Sequence, residues 1–186
     1  MNNLPSSVFS LHGKMILING IDSSPGRYIS EACMQRGATI MHAPHPGQLI
    51  HGLVHCVDEP SWQEVADLDV SCLTRVLQAN LVQPVMLTQQ LLQGSMANKA
   101  SIVFLLSAAR GERGRGAYAA SKAGLLGIIR CLALEQAGHG IRVNGISSRL
   151  DESVWPDIAN TITFLLSDAS RWITGINLPV NGGGTV

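Results

Sequence analysis

Short runs of consecutive apolar residues alternate along this chain with longer stretches whose apolar positions recur every three or four residues. The first run is MILIN (15–19), followed by the turn-rich GIDSSPG and a helical pattern over about residues 27–36. ATIMHA (38–43) and GLVHC (52–56) predict two further strands, with the breaker-rich PHPG between them. A long helical pattern starts behind Asp69, a residue suited to an N-cap, and continues to Gln93, where Gly94 stops it. SIVFLL (101–106) predicts a fourth strand, and a loop rich in Gly and Arg follows it. A helix over 118–137 ends at GHG, and IRVNGIS (141–147), a helix over 156–167 and INLPV (176–180) complete the series. Strands alternating with helices in this way predict an α/β fold with a mostly parallel sheet. No internal repeat or low-complexity linker divides the chain, so a single domain over 1–186 is expected.

Two helices carry more than periodicity. The pattern over 118–137 is apolar nearly all round (Leu125, Leu126, Ile128, Ile129, Leu132, Leu134), which predicts cover on both sides. One cover is the sheet; Ala119, Ala120, Ala123, Gly124 and Gly127 would let a second partner come close. In the pattern over 69–93, Pro84 has no N–H to bond the carbonyl four residues back, which belongs to Asn80. A kink with a free Asn80 carbonyl is expected there, either a tolerated defect or an acceptor with a use.

Composition narrows the picture. With 186 residues, 46% hydrophobic, 14% charged and formal net charge +0, the chain has enough apolar residues for a core and no electrostatic bias toward nucleic acid or a membrane surface. No uninterrupted apolar run approaches the ~18 residues of a membrane span, and MNNLPSSVFSLHGK lacks the plan of a signal peptide. Cys33, Cys56, Cys72 and Cys131 are scattered without a C-x-x-C pair, which suits reduced thiols in a cytoplasmic protein. The spacing of His45, His51 and His55 matches no familiar metal site, so no metal is expected.

Tyr118 and Lys122 stand one helical turn apart in GAYAASKAG. A free tyrosine ionises near pH ~10, and a cation one turn away stabilises the phenolate and lowers that value. Alone, the pair is a loose pattern. In order with a strand, a Gly-containing turn, an Asn at a helix kink and a Ser at a strand end, it resembles the short-chain dehydrogenase/reductase family over nearly the whole chain. The resemblance rests on GKMILING…GRYISEACMQRGATI, GLVHC, LQANLVQP, SIVFLLS, AYAASKAGLLGIIRCLALE, GIRVNGIS and ITGINLPVNGG. It implies a Rossmann-like three-layer sandwich in strand order 2-1-4-5-6-7 by the family's numbering. It also implies a catalytic set of Asn80, Ser107, Tyr118 and Lys122. Tyr118 would be the general acid/base, Lys122 its neighbouring cation and Ser107 the donor to the substrate oxygen. The Asn80 carbonyl would hold a water that links Lys122 to solvent. A nicotinamide cofactor, NAD or NADP, would meet Gly20, Ser24, Gly26, Tyr118 and Lys122.

Several positions depart from that family's pattern. The glycine-rich turn keeps Gly20 and Gly26 but has Ser24 at the middle glycine, and Asp22 adds a negative charge where phosphates would sit. Ala43-Pro44-His45-Pro46 gives neither the acidic nor the basic residue that separates NAD from NADP. Residues 44–51 are too few for a helix and another strand, so one helix–strand unit should be missing. His55-Cys56-Val57-Asp58 replaces Asn-Asn-Ala-Gly, and the segment that would cover a substrate is cut to 150–155. Arg110, Arg113 and Arg115 suit either an anionic substrate or a soluble loop. The reading that follows is an NAD(P)-dependent oxidoreductase acting on a carbonyl or alcohol of a small-molecule substrate, with nicotinamide binding weakened. The alternatives are a lyase, isomerase or cyclase that works without cofactor, and a non-catalytic homologue kept for binding or assembly. A homodimer or homotetramer through the helices 69–93 and 118–137 is expected.

Overall fold

The structure, a computed structural model, describes residues 8–107, 112–149 and 151–184. Along the chain lie β1 (Met15–Asn19), α1 (Ser24–Gln35), β2 (Thr39–Met41), β3 (Ile50–His55) and α2 (Val70–Leu77). A π-helical turn, Gln78–Val82, joins α2 to α3 (Gln83–Leu92). Then come β4 (Met96–Ser107), α4 (Gly116–Glu135), β5 (Arg142–Ser148), α5 (Trp155–Leu166) and β6 (Asn177–Val180). The six strands form one sheet in the order β2-β1-β3-β4-β5-β6, and every neighbouring pair is parallel.

Strand alternation explains the three layers, because successive side chains point to opposite faces. Ile16, Ile18, Val54, Val103, Leu105 and Ile146 face α1 and α5 in one core. Leu17, Leu53, Ile102, Phe104, Leu106 and Val143 face α3 and α4 in the other. Both faces are covered, so the strands read as continuous apolar runs rather than alternating ones. The missing unit is as expected: residues 42–49 between β2 and β3 contain no helix or strand, and β2 is the sheet edge.

Differences from the sequence expectations have local causes. Helix α1 starts at Ser24, three residues early, because Ser23 Oγ accepts the Gly26 N–H and Pro25 sits in the first turn, where its missing N–H costs nothing. Asp69 caps α2 by accepting the Cys72 N–H at 2.8 Å. The interruption expected from Pro84 takes the form of the π-helical turn just before it. Within this chain helix α4 is covered on its sheet side. Leu125, Ile129 and Ala133 are buried against the sheet, whereas Leu134 is 81% exposed. The close approach at Gly124 is to Leu81 of the same chain, which a Cβ would meet at 3.0 Å, while Gly127 faces open space. By length and composition alone this 20-residue helix could cross a membrane, although Lys122 and Arg130 break its apolar run. Here it is the inner helix of an α/β layer.

Candidate active site

Strands β1, β3 and β4 end on the same side of the sheet, the side where open α/β folds take their ligands. The chain leaving β3 passes through Val57, Asp58 and Glu59 and meets the first turn of α4. There Tyr118 Oη donates to Asp58 Oδ1 at 2.6 Å, and Lys122 Nζ lies 2.8 Å from the same oxygen. Lys122 Nζ also donates to the Val57 carbonyl at 3.2 Å. Tyr118 is 2% exposed and the Lys122 side chain 1%, so the ammonium is removed from water and held by one carboxylate and one carbonyl. A buried cation needs such a partner, because desolvation would otherwise favour its neutral form.

Asn80 comes to this cluster from the π-helical turn, but its side chain has a function that proline chemistry did not foretell. Its Oδ1 accepts the Glu59 N–H at 2.7 Å and its Nδ2 donates to the Glu59 carbonyl at 2.9 Å. Nδ2 also reaches Ser121 Oγ at 3.1 Å, and Ser121 donates to the Tyr118 carbonyl. The buried amide thus ties the loop after β3 to the helix bearing Tyr118. Ser107 ends β4, paired in register with Ser148; its side chain and Arg110 lie outside the described residues.

The remaining arginines of the loop before α4 hold the loop itself. Arg113 pairs with Glu64 at 2.7 Å, and Gln63 N–H donates to the Gly114 carbonyl at 2.7 Å. The Arg115 guanidinium lies 4.1 Å from the Tyr118 ring centre and 4.6 Å from that of Trp62, and it pairs with Glu112. Cation–π contacts of this kind fix the ring from the side. Tyr118 forms a small buried cluster with Val76 and Ala117, and Leu68 and Leu73 pack against that cluster.

His55, one strand end away, belongs to the core. Thr88 Oγ1 donates to the Pro84 carbonyl at 2.9 Å, so toward His55 Nε2, 2.8 Å away, it can only accept. That places the imidazole proton on Nε2 and leaves Nδ1 bare to accept from Asn19 Nδ2 at 3.1 Å. The ring stacks on Phe104 with centroids 4.7 Å apart. Burial holds its pKa down at about 3. Burial likewise pushes the Cys56 thiol up to about 11, so this cysteine is inert.

The β1–α1 turn would have to hold a dinucleotide. Gly20 has φ +94°, and a Cβ there would meet the Cys56 and Val57 backbone at 3.1 Å. A Cβ on Gly26 would lie 2.2 Å from the Gly20 carbonyl oxygen, so this glycine lets the turn close on the helix. A helix N-terminus attracts phosphate through its free N–H groups. Here Pro25 has none and that of Gly26 is taken by Ser23 Oγ, which leaves Ser24 to offer one at the helix start. Asp22 is exposed in the same turn. The turn therefore retains the shape of a phosphate site with a reduced set of donors, and it fits a dinucleotide loosely.

Sequence reasoning placed Tyr118, Lys122 and Asn80 together and set Gly20, Ser24 and Gly26 on one turn. It missed Asp58 as a partner of both catalytic candidates, although the departure from Gly at that position was visible. It also missed the stack of Arg115 on Trp62 and Tyr118, which has no periodic signal.

Comparison with known proteins agrees with this architecture. Residues 35–152 match the family model described as enoyl-(acyl carrier protein) reductase. The 3-oxoacyl-[acyl-carrier-protein] reductase FabG of Staphylococcus epidermidis is 30% identical over 181 residues, covering 83% of this chain and 70% of that protein. Protein FixR of Bradyrhizobium diazoefficiens is 36% identical over 168 residues, covering 74% of this chain and 60% of FixR. Among solved structures, a short-chain dehydrogenase/reductase from Serratia marcescens superposes with TM-score 0.84 at 19% identity, over 95% of this chain and 99% of that one. On its motifs, its sheet order and these similarities, the chain belongs to the short-chain dehydrogenase/reductase family of oxidoreductases.

Proposed function

We propose that this chain interconverts a carbonyl and an alcohol, with NAD or NADP as the hydride partner and Tyr118 as the acid/base. The observation that carries this reading is the buried Tyr118–Lys122 pair at the carboxyl end of the sheet, joined through one carboxylate oxygen. In reduction, Tyr118 Oη–H gives its proton to the carbonyl oxygen, and the Lys122 ammonium steadies the phenolate that remains. Ser107 would orient the substrate oxygen, and Asn80 positions the loop against α4. Gly20, Ser24 and Gly26 would hold the phosphates, with Tyr118 and Lys122 at the nicotinamide end. When bound, the nicotinamide gives or takes the hydride. The thin supply of amides at α1 and the shortened β2–β3 connection make that binding weak.

The 3-oxoacyl thioester class is the first substrate to test, since it is what the FabG relative is named for and a shortened lid admits a carrier-borne chain. The test is turnover of NADH and NADPH with acetoacetyl thioesters and a panel of simple ketones. Activity that is lost in Tyr118→Phe supports the reading.

The consumed amides at Pro25 and Gly26 favour a second reading, acid–base chemistry at the same tyrosine without nicotinamide. Calorimetric titration with NADH and NADPH separates the two, and Trp62, next to Arg115 in the stack on Tyr118, is a fluorescent reporter for it. Absence of both binding and turnover would point to the non-catalytic alternative. We also propose a homodimer or homotetramer assembled through α3 and α4. Val85, Met86, Leu92, Ile128 and Leu132 line a groove between these helices, and Leu134 of α4 is exposed. Light scattering at micromolar concentration tests this, and a monomer would refute it.

A further inference from the structure

Asp58 is the meeting point of the site. One oxygen, Oδ1, accepts the Tyr118 hydroxyl at 2.6 Å and pairs with Lys122 Nζ at 2.8 Å. A hydrogen bond this short between a hydroxyl and a carboxylate places the proton within reach of both oxygens. The three groups differ in access to water. Tyr118 is 2% exposed and the Lys122 side chain 1%, whereas the Asp58 side chain is 25% exposed. Of the three, the carboxylate is the one that touches solvent.

The aim of this carboxylate is built into the chain on both sides of it. Val57, before it, has its carbonyl held by Lys122. Glu59, after it, has its N–H and carbonyl held by the Asn80 amide, and its carboxylate pairs with Arg75. The Arg115 guanidinium lies over the Tyr118 ring, 4.1 Å from its centre. Lys122 and the buried Asn80 amide thus hold the backbone on either side of Asp58, and its Oδ1 meets the Tyr118 hydroxyl and the Lys122 ammonium.

We propose that Asp58 is a third acid/base group of the site, carrying the Tyr118 proton to and from solvent. When Tyr118 takes a proton from a substrate hydroxyl, its own Oη–H bond breaks toward Asp58 Oδ1, and the carboxyl then releases that proton to water at its exposed edge. In the other direction water protonates Asp58, and the carboxyl replaces the proton that Tyr118 has given to a carbonyl oxygen. Lys122 stays charged throughout and balances carboxylate and phenolate in turn. The exchange with solvent follows from the geometry alone; its use in turnover rests on the function proposed above.

The exchange can be measured without a substrate. With tyrosine labelled by carbon-13 at Cζ and a solvent of equal parts H2O and D2O, a slowly exchanging hydroxyl gives two Cζ lines and a fast one gives a single line. The chain has two tyrosines, Tyr28 and Tyr118, and Tyr118→Phe assigns them. The expected result is a single line for Tyr118 in the unaltered protein despite its burial. Asp58→Asn, which keeps size and an acceptor but cannot carry a proton, should give two, and Asp58→Glu should restore one. Two lines in the unaltered protein, which needs no variant to fold, overturn the proposal, as does a single line in a folded Asp58→Asn. Turnover of NADPH with an acetoacetyl thioester adds a second arm. A loss of about 10²-fold or more in Asp58→Asn is expected; a gain would mean that the carboxylate blocks the site and would overturn the proposal. If the unaltered protein is inactive with every probe while the exchange results hold, the proposed oxidoreductase function fails and the proton route stands.

Discussion

Acidification should destabilise this protein through His55, and the size of the effect follows from where the ring sits. Its pKa is lowered by burial from 6.5 to about 3. Between those values the unfolded chain carries a proton on His55 that the native protein refuses. Stability is therefore complete above pH ~6.5 and falls as pH drops toward ~3, by about 1.4 kcal/mol per pH unit. From pH 7 to pH 5 that amounts to about 2 kcal/mol, which in a chain of this length lowers Tm by roughly 4–8 °C. As placed, the Asn19 amide turns its donor Nδ2 toward Nδ1, so a second imidazole proton would meet a donor there. The assay is guanidinium unfolding at pH 7, 6 and 5 of the protein and of His55→Asn, which removes the titrating group. Carboxylates common to both cancel in the difference, and lost packing adds a constant. The gap between the two should narrow by about 2 kcal/mol on acidification. Parallel curves would mean that His55 is protonated in the native state and that the reasoning from burial is wrong.

Other outcomes test other parts of the account. Asp22→Asn with Ser24→Gly removes a charge and a side chain from the β1–α1 turn, and calorimetry should find NADH or NADPH binding tightened by about tenfold, or 1.4 kcal/mol. Asn80→Ala leaves the Glu59 N–H without its partner and should cost about 1–3 kcal/mol in denaturant unfolding. Ile129→Asp puts a charge into the core under α4 and should unfold the chain, whereas Leu134→Asp on the exposed side should leave it folded and shift light scattering toward the monomer.

Most of the fold was legible because parallel strands covered on both faces appear as short apolar runs, and the helices between them appear as 3.6-residue periods. The shortened β2–β3 connection could be counted from residues 44–51 directly. The start of α1 was misplaced because its first turn, Ser24–Pro25–Gly26, carries no apolar period and is fixed by the Ser23 cap. The apolar pattern of α4 did not say which face meets the sheet; packing at Leu125, Ile129 and Ala133 decides it and leaves Leu134 on the other side. In the site, Tyr118 and Lys122 were legible through their spacing on one helix. Asp58 lies 60 residues from Tyr118 along the chain, and nothing in periodicity links two such positions. Only the folded path of the loop after β3, pinned by Asn80, brings them together.

The central claim is that chemistry here passes through the Tyr118 hydroxyl, and Tyr118→Phe tests it most directly. The phenylalanine keeps the ring under Arg115 and among Val76 and Ala117, so the fold should persist, as judged by an unchanged circular dichroism spectrum. Turnover of NADPH and NADH with acetoacetyl thioesters and simple ketones should fall by about 10²–10⁴-fold, the usual contribution of a general acid–base group. Full turnover in a folded Tyr118→Phe protein would contradict the account and leave the family membership as a statement about ancestry.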